Sequence, residues 1–147
     1  MSSLAYFDSY LRDILKQTKV IALVGASNNP ERPSYEIMDF LLQHKYTVIP
    51  VNPGLAGTTL MGQHVFSSLS EIHKPIDLVN IFLNSARINP VVDEILHFQT
   101  LPKTIWMQLG IRDDLAAKRA EAKGIKVVMD LCIKTTLQRL NNSKDDI

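Results

Sequence analysis

The chain has 147 residues, 46% of them apolar and 21% charged, with a formal net charge of +1, a composition that suits one globular domain with a substantial core. No basic stripe points to nucleic acid as a partner, no apolar run reaches the length of a membrane span, and the first residues lack the basic-then-apolar pattern of a secretory leader. The single cysteine, Cys132, excludes a disulfide within the chain and fits a reducing cytoplasm, and the four histidines (His44, His64, His73, His97) stand at no metal-ligand spacing.

Leu4, Phe7, Leu11, Ile14 and Leu15 recur at helical spacing behind Ser3 as a cap. They predict an amphipathic helix over 4–17, so that residues 1–18 form a helical lead-in to a domain spanning 19–140. A strand over 20–24 follows, then a helix over 34–44 with Ile37, Phe40 and Leu41 on one face, then a strand over 47–51 that Asn52-Pro53-Gly54 ends abruptly. Residues 55–62 are rich in glycine and threonine and read as a loop, 64–66 as a short strand, and 68–72 as one helical turn. The next strand is expected over 78–83, with Asp77 at its entrance, and a helix over 89–98 with Pro90 in its first turn. A strand over 104–107 leads to a helix over 114–123, capped by Asp113 and stopped by Gly124. A last strand over 126–129 and a helix over 133–140 precede a polar tail, 141–147, expected to fray.

The strands are near-continuous apolar runs, so both of their faces are covered, and they alternate with helices, so the connections are right-handed crossovers. The expected fold is α/β: a single Rossmann-like domain with a doubly wound, mostly parallel sheet.

In such sheets a ligand lies outside the carboxyl ends of the strands, near the point where strand order reverses. That rule selects Gly25, Ala26 and Ser27 after the first strand, with Arg32, Pro33 and Ser34 opening the next helix. It also selects Asn52 and Pro53, Leu83 and Asn84, Gln108 and Gly110, and finally Asp130 and Cys132. An apolar strand that ends in glycine and feeds a helix aims free N–H groups at a phosphate. Yet the loop is neither G-x-G-x-x-G nor a P-loop. A dinucleotide site needs an acidic residue after the second strand to take the ribose hydroxyls; this chain has Asn52, with no Arg beside it for a 2′-phosphate, which disfavours NAD and NADP. Taken singly, each candidate also reads as an ordinary strand-ending residue. Ser27 has no His-Asp pair to activate it, and no catalytic set emerges. Cys132 reads either as a small buried hydrophobe or as a thiol at a helix N-terminus, and Asp130 as the cap of the last helix. Met38, Trp106 and Met107 read as core, and Arg32 and Lys45 as surface charges able to steer an anion.

Four separated stretches carry a family likeness: 24–35 (Val-Gly-Ala-Ser-Asn-Asn-Pro-Glu-Arg-Pro-Ser-Tyr), 48–53 (Val-Ile-Pro-Val-Asn-Pro), 106–110 (Trp-Met-Gln-Leu-Gly) and 128–132 (Val-Met-Asp-Leu-Cys). Together they resemble the small bacterial CoA-binding proteins of the YccU type, a likeness running over about residues 10–140. That family is a single Rossmann-like domain related to the CoA-binding domain of the succinyl-CoA synthetase α subunit, and residues 53–66 are similar to a Pro-Gly-Lys-Gly-Gly-Thr-Thr segment of that subunit. The resemblance implies coenzyme A or an acyl-CoA as the ligand. Its phosphates would be taken by the Gly-Ala-Ser loop and the next helix, and Asn52 would spare it an acidic repulsion. The chain departs from the pattern at Leu55, where the synthetase has lysine, and at Leu83 and Leu131, where family members carry arginine. It lacks the synthetase domain that bears the phosphorylated histidine, so ligase activity is not implied.

The reading is a cytoplasmic module that binds CoA or acyl-CoA without chemistry of its own. An NAD(H)-binding sensor or enzyme on the same scaffold, and a regulatory module for a CoA-ligase-like partner, stay open on the residues alone.

Overall fold

The structure, a computed structural model, describes residues 6–141. Seven strands and five helices follow one another in the order α1 (Asp8–Lys16), β1 (Val20–Val24), α2 (Pro33–Gln43), β2 (Thr47–Val51), β3 (Thr59–Leu60), β4 (Gln63–His64), β5 (Leu78–Ile81), α3 (Ile88–Leu96), β6 (Thr104–Met107), α4 (Asp114–Glu121), β7 (Lys126–Val128) and α5 (Ile133–Asn141). Five strands form one parallel sheet in the order β2-β1-β5-β6-β7. The chain moves outward from β1 to β2, then returns across β1 to β5 on its other side. The reversal therefore lies between the carboxyl ends of β1 and β5, where a doubly wound sheet opens a crevice.

Side chains alternate across the sheet as a pleated strand requires. Ile21, Leu23, Leu78, Trp106 and Val128 face one core with Leu11, Ile14 and Leu15 of α1, Ile37, Met38 and Leu41 of α2, and Ile133, Leu137 and Leu140 of α5. Ala22, Val24, Val79, Ile81, Ile105 and Met107 face the other with Val92 and Ile95 of α3 and Ala116, Ala117 and Ala120 of α4. The three alanines let α4 lie close to the sheet. Met38, Trp106 and Met107 are fully buried, as expected. Trp106 Nε1 also donates to the Leu131 carbonyl at 2.8 Å, tying β6 to the turn that precedes α5.

Both sheet edges are covered in part. At β7, Tyr10 Oη donates to the Val127 carbonyl at 3.1 Å and the Met129 N–H donates to Tyr6 Oη at 2.8 Å. At β2, Phe66 donates to the Pro50 carbonyl at 3.0 Å and accepts from the Asn52 N–H at 2.9 Å. An exposed edge would otherwise invite pairing with another chain.

Several boundaries differ from the sequence expectation. The first helix begins at Asp8, with Phe7 at its N-cap and 84% exposed rather than packed in the apolar stripe; Ser3 and Leu4 lie outside the described residues. The third long strand ends at Ile81 rather than Leu83, because the backbone turns out of the ladder after Phe82 donates to the Val24 carbonyl. The expected loop over 55–62 contains strand β3. This strand pairs antiparallel with β4 across Met61 and Gly62, both at positive φ, the geometry of a tight hairpin. Of the expected strand over 64–66, only Phe66 reaches the main sheet, as a single parallel bridge to Val51. Helix α5 runs on to Asn141, and the rest of the expected tail lies outside the described residues.

Candidate functional site

A groove of about 950 Å³ opens along the carboxyl ends of the strands, over the β1/β5 switch point. Eleven of the fourteen strand-end candidates line it: Gly25, Ala26, Ser27, Arg32, Pro33, Ser34, Asn52, Pro53, Leu83, Gln108 and Cys132. Asn84, Gly110 and Asp130 do not. Asn84 leads into the 3₁₀ turn Ser85–Arg87, with its carbonyl on the Arg87 N–H, and Gly110 turns away to give its N–H to Asp130 Oδ1 at 2.7 Å. Asp130 is thereby occupied beside the 108–111 turn. The N-cap position of α5 falls to Cys132, half-buried, whose Sγ accepts the Thr135 N–H at 3.5 Å. Lys45 sits beyond the far end of α2 and does not reach the groove.

Gly25 is required by packing as well as by backbone conformation. It sits at φ +89°, and a Cβ there would stand 2.8 Å from the Phe82 carbonyl oxygen. Any side chain at position 25 would therefore collide with the Phe82 backbone just after β5 before it met a ligand. The loop after it also uses its donors differently from the sequence expectation. The N–H groups of Gly25 and Ala26 both go to the Val51 carbonyl, at 3.0 and 3.2 Å, and are not offered to a phosphate. Ser27 Oγ accepts the Asn29 N–H and Asn29 Oδ1 accepts the Glu31 N–H, each at 3.0 Å, so two side-chain turns shape the approach to α2.

The donors left for a ligand lie at the start of α2. This helix has no side-chain cap, and Pro33 occupies its first turn. Ser34, only 4% exposed, lines the groove, and neither its N–H nor its hydroxyl has a partner among the described residues. The Ser27 N–H is likewise unpartnered among the described residues. Unsatisfied N–H groups at a helix N-terminus, with the dipole behind them, attract anions.

Asn52 has a structural task. Its Nδ2 donates to the Ala26 carbonyl at 2.7 Å and its Oδ1 accepts the Gly54 N–H at 2.8 Å, so it braces the β1 loop against the β2 loop. A carboxylate could not make the first of these bonds.

Charge in the groove is mixed, with three cations against two carboxylates. Lys134 is paired with Glu36, and Glu94 accepts both the N–H and the hydroxyl of Ser70, at 3.0 and 2.6 Å. Arg32 and Arg87 form no ion pair among the described residues. Arg87 is a site residue that sequence reasoning left out. Leu83 and Asn84 stand where the family pattern has arginine, but the 3₁₀ turn brings Arg87 back to the groove three residues later. Ser67, Ser68 and Leu69 were missed too. The Phe66–Val51 bridge places them beside Asn52, and no local pattern announces one bridging residue. Nearby, hydrogen bonds from Ser67 hold the Glu71 carboxyl below its ordinary range and pin this turn. Lys134, Thr135 and Gln138 of α5, also missed, line the groove as well; their shared helical face is the signal that could have found them.

Doubly wound α/β folds take nucleotide-type ligands in a crevice of this kind, at the switch point beside an uncapped helix start. The chain belongs to the CoA binding domain family, which matches over residues 19–138. It is 38% identical over 124 residues to the uncharacterized protein YneT of Bacillus subtilis, an alignment that covers 84% of this chain and 89% of that one. Its fold is similar to a solved structure from Thermus thermophilus, cell-free ID.343, with a TM-score of 0.85 and 33% identity over 91% of this chain and 98% of the other. It is also similar to part of an acetyl-coenzyme A synthetase of Ca. Korarchaeum cryptofilum, with a TM-score of 0.63 and 23% identity over 78% of this chain and 26% of that one, a likeness of fold alone. Among the described residues, no helix is long and apolar enough to cross a membrane.

Proposed function

We propose that this groove binds coenzyme A, free or acylated, along the carboxyl ends of the parallel strands, and that the chain holds this ligand rather than transforming it. One observation carries the reading. An uncapped α2 N-terminus with Ser34 unpartnered meets two guanidiniums, Arg32 and Arg87, that no described carboxylate neutralises. A polyanion such as the CoA pyrophosphate and 3′-phosphate supplies the missing charge. Family membership points to the same ligand.

Strand order suggests the direction. The anion-attracting start of α2 follows β1, second from the edge, with one strand on one side and three on the other. Neighbouring strands lie about 4.8 Å apart, so the longer side extends roughly 14 Å. The adenosine end fits the short side, against Asn52, Pro53 and Ser67–Leu69. The extended pantetheine arm fits the long side, past Leu83 and Gln108 toward α5. Holding without catalysis accords with the lining: no histidine is present to activate its hydroxyls or its thiol, and Ser27 Oγ already accepts a backbone N–H.

Isothermal titration with CoA tests the reading. Arg87→Ala removes a charge-assisted contact worth about 1.5–3 kcal/mol, so the Kd rises about tenfold or more. The salt dependence of binding becomes shallower, and the thermal midpoint stays that of wild type because the Arg87 side chain bonds no described residue. An unchanged Kd for CoA in this variant contradicts the proposed site.

A further inference from the structure

We propose that Gln108 reads a carbonyl oxygen on the pantetheine–acyl arm of the ligand, donating to it through Nε2; this rests on the CoA reading given above. Gln108 directly follows β6, in step with Trp106, and is only 5% exposed, yet it lines the groove. Its Oε1 is committed to the protein. It accepts from Asn80 Nδ2 at 3.3 Å and from the N–H of Ile133, the first residue of α5, at 3.4 Å.

Those two donors fix which way the amide points. The Ile133 N–H is a donor under any assignment. Asn80 is oriented by a second bond, from the same Nδ2 to the Trp106 carbonyl at 3.3 Å, which its oxygen could not make. That choice leaves Asn80 Oδ1 buried without a partner among the described residues, a cost the arrangement bears in order to present Nδ2 to both carbonyls. With the oxygen of Gln108 held inward, the –NH2 arm is the part of the side chain left for the groove. It makes no hydrogen bond to any described residue.

An unpartnered amide donor at the groove face of an otherwise buried side chain is complementary to an acceptor on the ligand. The surroundings specify a neutral acceptor. Half-buried Leu83 and Ile111 and exposed Leu109 line the groove nearby, and the free guanidiniums lie on other elements, at the start of α2 and in the turn before α3. This wall suits the pantetheine arm and an attached acyl group, whose acceptors are amide and thioester carbonyls. Gln108 is thus assigned as a specificity-determining contact that separates a CoA-type ligand from a bare nucleotide.

Gln108→Glu tests this with little structural disturbance. Glutamate keeps the inward oxygen for Asn80 and Ile133 and adds negative charge where a helix N-terminus favours it. Only the groove-facing arm changes, from donor to acceptor. Gln108→Met, which removes the donor without adding charge, is the second variant, and circular dichroism checks the fold of both.

CoA, acetyl-CoA and 3′-phospho-ADP, the nucleotide part alone, are titrated against all three proteins. The expected result is about a tenfold loss of CoA affinity in both variants, with 3′-phospho-ADP bound as by wild type. A larger loss for acetyl-CoA than for CoA assigns the thioester carbonyl, and an equal loss assigns a pantetheine amide. CoA and acetyl-CoA affinities both within about twofold of wild type, or an equal loss for 3′-phospho-ADP, overturn the assignment while the CoA reading stands. Wild-type protein that binds no CoA overturns both.

Discussion

Asn52 changes meaning between sequence and structure. As a residue type, it stands where a dinucleotide site carries an acid, and its neutrality disfavours NAD. In the fold its two amide atoms do different work, donating to Ala26 and accepting from Gly54. Asn52→Asp sets a carboxylate oxygen against the Ala26 carbonyl with no proton between them. We expect it to destabilise the protein by about 1–3 kcal/mol, read as a lower urea midpoint with unchanged slope. It should not create NADH binding, because the loop that would cradle the dinucleotide is loosened. A variant as stable as wild type contradicts the bracing role. Gly25 was legible because a glycine closing an apolar run marks a turn. The reason no other residue fits, the carbonyl of Phe82, comes from a strand 57 positions away and has no local trace. Arg87 was hidden for the opposite reason: the family pattern expects arginine near 83 and 84, and a 3₁₀ turn brings a cation from further along the chain to the same groove.

At the scale of elements, the sheet is anchored at the end opposite the groove. Asp77 Oδ2 accepts the N–H groups of Lys19 and Val20, both at 2.9 Å, and its Oδ1 lies 3.5 Å from Lys103 Nζ, so one carboxylate ties the entries of β1, β5 and β6. Partial burial pushes this carboxyl up, but the two N–H groups and the ammonium outweigh burial and hold it below the ordinary Asp value of 3.8. A carboxyl lowered on folding stabilises the native state above its unfolded value, and that stability is lost as pH falls through the folded one. Asp77→Ala should cost about 1–3 kcal/mol near neutrality, and this cost should shrink as the pH drops below 3.8. Urea titrations of both proteins at neutral and acid pH check it; a penalty that does not change with pH contradicts the carboxylate staple. The long elements were legible because apolar periodicity is strong over five or more residues. The β3–β4 hairpin was not, since its strands are two residues each and its composition reads as loop.

At the scale of the molecule, every sheet strand contributes its carboxyl end, or the turn after it, to one surface. The strand order 2-1-5-6-7 makes that surface long and puts its anion-attracting part off-centre. That asymmetry suits a ligand with a charged nucleotide and a long neutral arm. The fold was legible from alternation of elements alone. The site was legible as a set of strand ends, while the identity of its free donors was not, because hydrogen bonds made elsewhere decide which donors remain: Val51 occupies the Gly25 and Ala26 N–H groups and Asn80 turns the Gln108 amide. The most direct test of the account is native mass spectrometry of the wild-type protein with CoA and with NADH in separate samples. The account predicts a one-to-one CoA adduct and no NADH adduct; an NADH adduct in the absence of any CoA adduct would contradict it.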